Sequence, residues 1–152
     1  MFEKKDVSLI IKHALKYLEE FDNKTGSRTY KENEEMEMVV IVLGKVMSDS
    51  WFKYKEAKAP GVVEAWFKKL PLKIYKFEGK GQFQTLLEIM KVDPDAILCQ
   101  GKNAGKFGKV VANFTLENMS SGIESFKKTK EVLAKLETDL LKYEETIKNE
   151  LD

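Results

Sequence analysis

The 152-residue sequence has one cysteine, one histidine and one arginine. A lone Cys99 excludes an intramolecular disulfide and fits a reducing, cytoplasmic compartment. With His13 as the only histidine, the chain lacks the nitrogen and sulfur donors of a zinc site, and neither a metal nor a cofactor is expected. A lone Arg28 leaves no set of planar guanidinium forks for bidentate reading of guanine or phosphate, so base-specific nucleic-acid recognition is not expected. Long apolar runs are missing too. The longest, Met38–Leu43, is far below the roughly 20 residues of a membrane helix. Lys12, His13 and Lys16 interrupt the apolar positions near the N-terminus, so a signal peptide is not expected.

What is present describes a charge-rich globular protein: 43% of residues are hydrophobic and 34% charged. Those proportions exclude a disordered chain and fit one domain over residues 1–152. The net charge of +1 conceals an asymmetry. Residues 53–109 hold 12 lysines against 6 acids, while the segments before and after are mildly acidic.

Helical spacing of Val7, Ile10, Ile11, Ala14, Leu18 and Phe21 predicts a first helix over 4–21, ended by the turn formers at 22–26. Thr29 and Glu32 form a capping-box pattern for a second helix. There Met36, Val40, Leu43, Met47 and Ser50 share a face, and Val39, Val42, Val46 and Trp51 widen it to that of a central helix. The β-branched run Val39–Val42 leaves a buried strand as its competitor. Pro60 suits the first turn of a short helix over 62–70. Leu72–Phe77 reads as a strand, Gly79–Gly81 as a turn, 83–92 as a helix closed by Asp93-Pro94-Asp95, and Ala96–Gln100 as a strand. From Val110 to Leu116 apolar and polar residues alternate, so a hairpin across the glycine loop 101–108 is expected. Phe107, Val111 and Phe114 also fit a helix.

From Ser121 to Leu151 the spacing predicts one long amphipathic helix. Phe126, Leu133, Leu140 and Ile147 recur every seven residues, with Leu136 and Tyr143 at the three-residue offset. Ser121 and Glu124 form a second capping box. At full length this coiled-coil-like helix would measure about 45 Å, longer than a compact domain of this size, so its end is expected to project or to be covered by a partner. Thr129 and Glu150 interrupt the heptad pattern. The predicted fold class is α+β: N-terminal helices, a small central antiparallel β element and the long C-terminal helix.

Few motifs carry chemistry. Gly101–Lys106 resembles a phosphate loop only loosely. Three residues separate its glycines where four are needed, and Phe107 stands where a magnesium-binding Ser or Thr belongs. The acidic group Glu32, Glu34, Glu35 and Glu37 has no histidine beside it and reads as an acidic helix start. Cys99 reads as a small buried hydrophobe. Catalysis is therefore not expected, an unrecognised activity being the third alternative. The expected function is that of a small intracellular interaction protein, a regulator or inhibitor, which binds a protein partner or forms an oligomer through Leu133, Leu140, Tyr143 and Ile147. The alternative is single-stranded nucleic-acid binding with little sequence preference. Lys76, Lys80, Lys102, Lys106 and Lys109 would supply phosphate contacts and interleaved aromatics would supply stacking.

Overall fold

The computed structural model describes residues 3–51 and 53–118. Its regular elements are all helical: α1 (Lys4–Asn23), α2 (Tyr30–Ser50), α3 (Pro60–Phe67), α4 (Lys76–Val92), α5 (Pro94–Leu98) and α6 (Ala104–Asn118), with single 3-10 turns at Lys55–Lys58 and Cys99–Gly101. The expected α+β class is thus corrected. Among the described residues there is no strand, and the antiparallel element placed at 72–77, 96–100 and 110–116 does not exist. The helix expected over 121–151, with its seam residues Leu133, Leu140, Tyr143 and Ile147, lies outside the described residues.

Contacts divide the chain into two compact units, Met1–Thr85 and Leu86–Asp152, with the boundary inside α4. In the first unit α1 packs on α2 and α3. Its core joins Val7, Ile11, Ala14 and Leu18 of α1, Val40, Leu43, Val46 and Met47 of α2, and Val62, Val63, Trp66 and Phe67 of α3. The α1–α2 turn explains the single arginine. Gly26 supplies the positive φ of 85° that the turn requires. Arg28 donates from Nη1 to the Gly26 carbonyl (2.6 Å) and from Nε to the Phe21 carbonyl (3.0 Å), and its Nη2 reaches the carbonyls of Lys24 (2.7 Å) and Phe21. It thereby occupies carbonyls that the end of α1 leaves unpaired. The expected capping box opens α2: Thr29 Oγ1 accepts from the Glu32 N–H (3.1 Å) and Glu32 reaches back to the Thr29 N–H.

Asp22 ties α1 to the end of α3, accepting from Lys68 Nζ at 3.1 Å and from Lys69 Nζ. Burial pushes its carboxyl upward, but the Lys69 and Lys68 hydrogen bonds outweigh that and hold it below the usual carboxylate range. A carboxylate lowered by folding stabilises the folded state above its unfolded pKa, and that contribution disappears as pH falls through the folded value. Asp22→Asn should therefore flatten the loss of stability below about pH 4 while leaving the chain helical. Urea midpoints of the two proteins between about pH 2 and 6 measure this. Parallel acid limbs would refute it.

In the second unit the buried positions are Leu86, Leu87, Ile89 and Met90 of α4, Ile97 and Leu98 of α5, and Ala104, Phe107 and Val110 of α6. Asp93 caps α5 through the Ala96 N–H (3.3 Å). Cys99, Gln100 and Gly101 then take positive φ values of 47°, 56° and 97°, a left-handed turn that connects α5 to α6. Side chains help to hold it: the Gln100 N–H donates to Asp95 Oδ1 (2.8 Å) and Asn103 Nδ2 donates to the Ile97 carbonyl (2.8 Å). Asn103 Nδ2 also lies 3.6 Å from Cys99 Sγ, which is half-buried.

The three strand expectations failed for separate reasons. Alternation over Val110–Leu116 competed with a 3.6-residue period, and burial of Ala104, Phe107 and Gly108 follows the latter. Ala96–Gln100 is short enough for either state, and the Asp93 cap together with Pro94 selects a helical turn. Leu72–Phe77 is extended in composition, but the N–H groups of Lys73, Ile74 and Tyr75 pair with a side chain rather than with a strand, and Lys76 and Phe77 already belong to α4. Gly79 and Gly81, read as a turn, instead lie inside α4.

Candidate functional site

A groove of about 600 Å³ lies along α2 and the first half of α4, entirely within the first unit. It is lined by Ile41, Lys45, Ser48 and Asp49 from α2 and by Phe77, Glu78, Lys80, Gly81, Gln82 and Thr85 from α4. Two buried polar arrangements hold its walls. At one end the Glu37 carboxylate, 3% exposed, accepts from the N–H groups of Lys73 (Oε2, 3.1 Å), Ile74 (Oε1, 3.0 Å) and Tyr75 (Oε1, 3.1 Å). These are the groups just ahead of α4, so one side chain of α2 fixes where α4 begins. Further along, Trp66 Nε1 donates to Gln82 Oε1 (2.7 Å), and Gln82 Nε2 donates to the Ile41 carbonyl (3.4 Å). Gly44 leaves the room for this pair. A Cβ there would stand 1.9 Å from Gln82 Oε1 and 2.6 Å from Trp66 Nε1.

The rim of the groove carries one large apolar side chain that a closed core would cover. Phe77 is 80% exposed. Gly81 faces open space: a Cβ built on it meets nothing within 4 Å, so the fold itself does not require a glycine there. Charges of both signs border the groove, Lys45 and Lys80 against Asp49 and Glu78. An apolar trough flanked by mixed charge is suited to the side chains of an amphipathic helix.

The lysines singled out in the sequence fall in both units. Lys76 and Lys80 are one turn apart on α4, both exposed. Lys102 follows the left-handed turn, with Lys106 and Lys109 on α6. Most of the aromatics meant to interleave with them are core: Trp51, Trp66, Phe67, Phe83 and Phe107 are buried. Phe77 is exposed, and Tyr54 is half-buried. Nor do the acids form one cluster. Glu32 caps α2 and pairs with Lys24, Glu35 accepts from the Tyr17 hydroxyl (3.5 Å), and Glu37 is committed to backbone. His13 is exposed on α1. Among the described residues no three His, Cys, Asp or Glu side chains stand close enough to hold a metal ion, and no helix is long and apolar enough to cross a membrane. No motif in the sequence marks the groove. Its only sequence signal was Phe77 between lysines, next to two glycines that helix propensity disfavours.

No protein-family model, curated protein or solved structure matches the chain, so its own geometry carries the functional reading.

Proposed function

We propose that this chain is a non-catalytic, cytoplasmic interaction protein that binds a partner protein by seating an amphipathic helix of that partner in the α2–α4 groove. The observation that carries this reading is the exposed Phe77 ring on the rim of a 600 Å³ groove whose bed includes Ile41 and Thr85. Gly81 supports it, since a glycine inside a helix costs about 1 kcal/mol relative to alanine and here has no internal contact to justify it. Close approach of another backbone would.

Single-stranded nucleic acid is the second reading. Phe77 directly follows Lys76 and lies three residues before Lys80, an exposed ring beside two exposed lysines, and such a ring can stack on an unpaired base. One experiment separates the two. Affinity capture from a lysate should retain a protein with the wild-type chain that is lost with Phe77→Ser and with Gly81→Ala. Phe77→Ser should change stability by no more than about 0.5 kcal/mol, and Gly81→Ala should raise it by up to about 1 kcal/mol. Identical sets of retained proteins would sink the groove reading. Salt-sensitive binding of an oligonucleotide, abolished by Lys76→Glu with Lys80→Glu, would establish the second reading in its place.

A further inference from the structure

The exposed strip of α2 beside the groove, which shares Lys45 and Asp49 with it, carries its own pattern. Lys31, Glu35, Met38, Val42, Lys45 and Asp49 are all exposed, Met38 at 53% and Val42 at 46%. Their spacing of four, three, four, three and four residues is that of a coiled-coil seam, and at 3.6 residues per turn the six fall within an arc of about 80°. Nothing in the helix itself favours two large apolar side chains in water at the centre of such a strip, and Val42 lies outside the arc that Val40, Ile41, Leu43, Val46 and Met47 bury.

We infer that this strip is a self-association surface, and that its partner is α2 of a second copy running antiparallel across a two-fold axis. The charge order selects that arrangement. Set antiparallel about the level of Val40, Met38 faces Val42 of the second copy, Glu35 faces Lys45, and Lys31 faces Asp49; symmetry repeats each pair. The result is an apolar centre flanked on both sides by two layers of opposite charges. A parallel pairing sets every charge against its own kind. An antiparallel pairing displaced by one heptad sets Asp49 against Met38 and Lys45 against Val42, or Lys31 against Val42 and Glu35 against Met38. The same six residues therefore favour one register and oppose the alternatives. Two helices meeting along about five turns bury less than a standard interface, so the association is weak and reversible.

Sedimentation equilibrium over a range of concentrations tests this on the full chain. The wild type should show a monomer–dimer equilibrium. Lys45→Glu sets glutamate against glutamate twice per dimer and should raise the dissociation constant about tenfold or more. Glu35→Lys combined with Lys45→Glu in one chain exchanges the two charges and should bring it back to within about threefold of wild type. Lys31→Glu and Asp49→Lys, singly and together, repeat the test at the outer layer and do not touch the Tyr17–Glu35 contact. Circular dichroism confirms that each variant is folded. A wild type that is monomeric at every concentration up to about 1 mM overturns the inference. So does a dimer indifferent to the single reversals, or one that neither charge exchange restores.

Discussion

Replacing Glu37 with alanine should cost about 3–5 kcal/mol, a large share of the stability of a domain this size. Both carboxylate oxygens are engaged by the N–H groups of Lys73, Ile74 and Tyr75 at 3.0–3.1 Å, and the side chain is 3% exposed. Alanine removes the acceptor and leaves those donors without it, at about 1–3 kcal/mol for each that water cannot reach. Glutamine is the more informative substitution because the chain should still fold. Its carbonyl can serve Ile74 and Tyr75, but its amide then points a donor at the Lys73 N–H, so the expected cost is smaller, about 1–2 kcal/mol. Chemical denaturation checks the order wild type, glutamine, alanine, with an unchanged denaturant slope as the sign that the unfolded state is unaltered. A loss under about 1 kcal/mol for alanine would mean that water replaces the carboxylate. The start of α4, and with it the position of Phe77 on the groove, would then have another origin.

This residue also shows where sequence reasoning stops. In the sequence Glu37 reads with Glu32, Glu34 and Glu35 as part of an acidic helix start, a local pattern, and local patterns hold wherever the cause is local. The Thr29–Glu32 capping box, Pro60 in the first turn of α3 and the break at Asp93-Pro94 are all as the sequence indicated, because each works within four residues. The role of Glu37 depends on N–H groups 36–38 positions away, and no periodicity encodes that. The same limit misplaced Leu72–Tyr75. Its composition suits a strand, and only the distant carboxylate supplies the alternative partners that make a strand unnecessary. The sequence places Val42 on a widened buried face because hydrophobicity says what can be buried, not what is. Its exposure becomes visible only when α1, α3 and α4 occupy the other sides of α2.

Gly44→Ala should destabilise the first unit by about 2–4 kcal/mol, against the direction of helix propensity. In an open helix the change gains about 1 kcal/mol. Here the new methyl group would stand 1.9 Å from Gln82 Oε1 and 2.6 Å from Trp66 Nε1, distances no carbon–oxygen or carbon–nitrogen contact can sustain. Gln82 must leave, and Trp66, fully buried, then loses its acceptor. The overlap with two partners makes the effect non-additive in a definite way. Gln82→Ala alone removes the acceptor and leaves the indole N–H unpaired. Adding Gly44→Ala to that background costs less than it does in the wild type, since the 1.9 Å overlap is gone and only the approach to Trp66 persists. A double-mutant cycle should therefore give a coupling of at least about 1 kcal/mol, beyond the 0.3–0.5 kcal/mol scatter of independent sites. Additive losses would mean that the Trp66–Gln82 pair does not fill the space beside Gly44. Gln82 lines the groove while its amide is held by Trp66, so the same cycle tests whether the groove wall is fixed by the core beneath it. If it is, a helix seated there as proposed would meet a surface formed before binding, at little cost in ordering it.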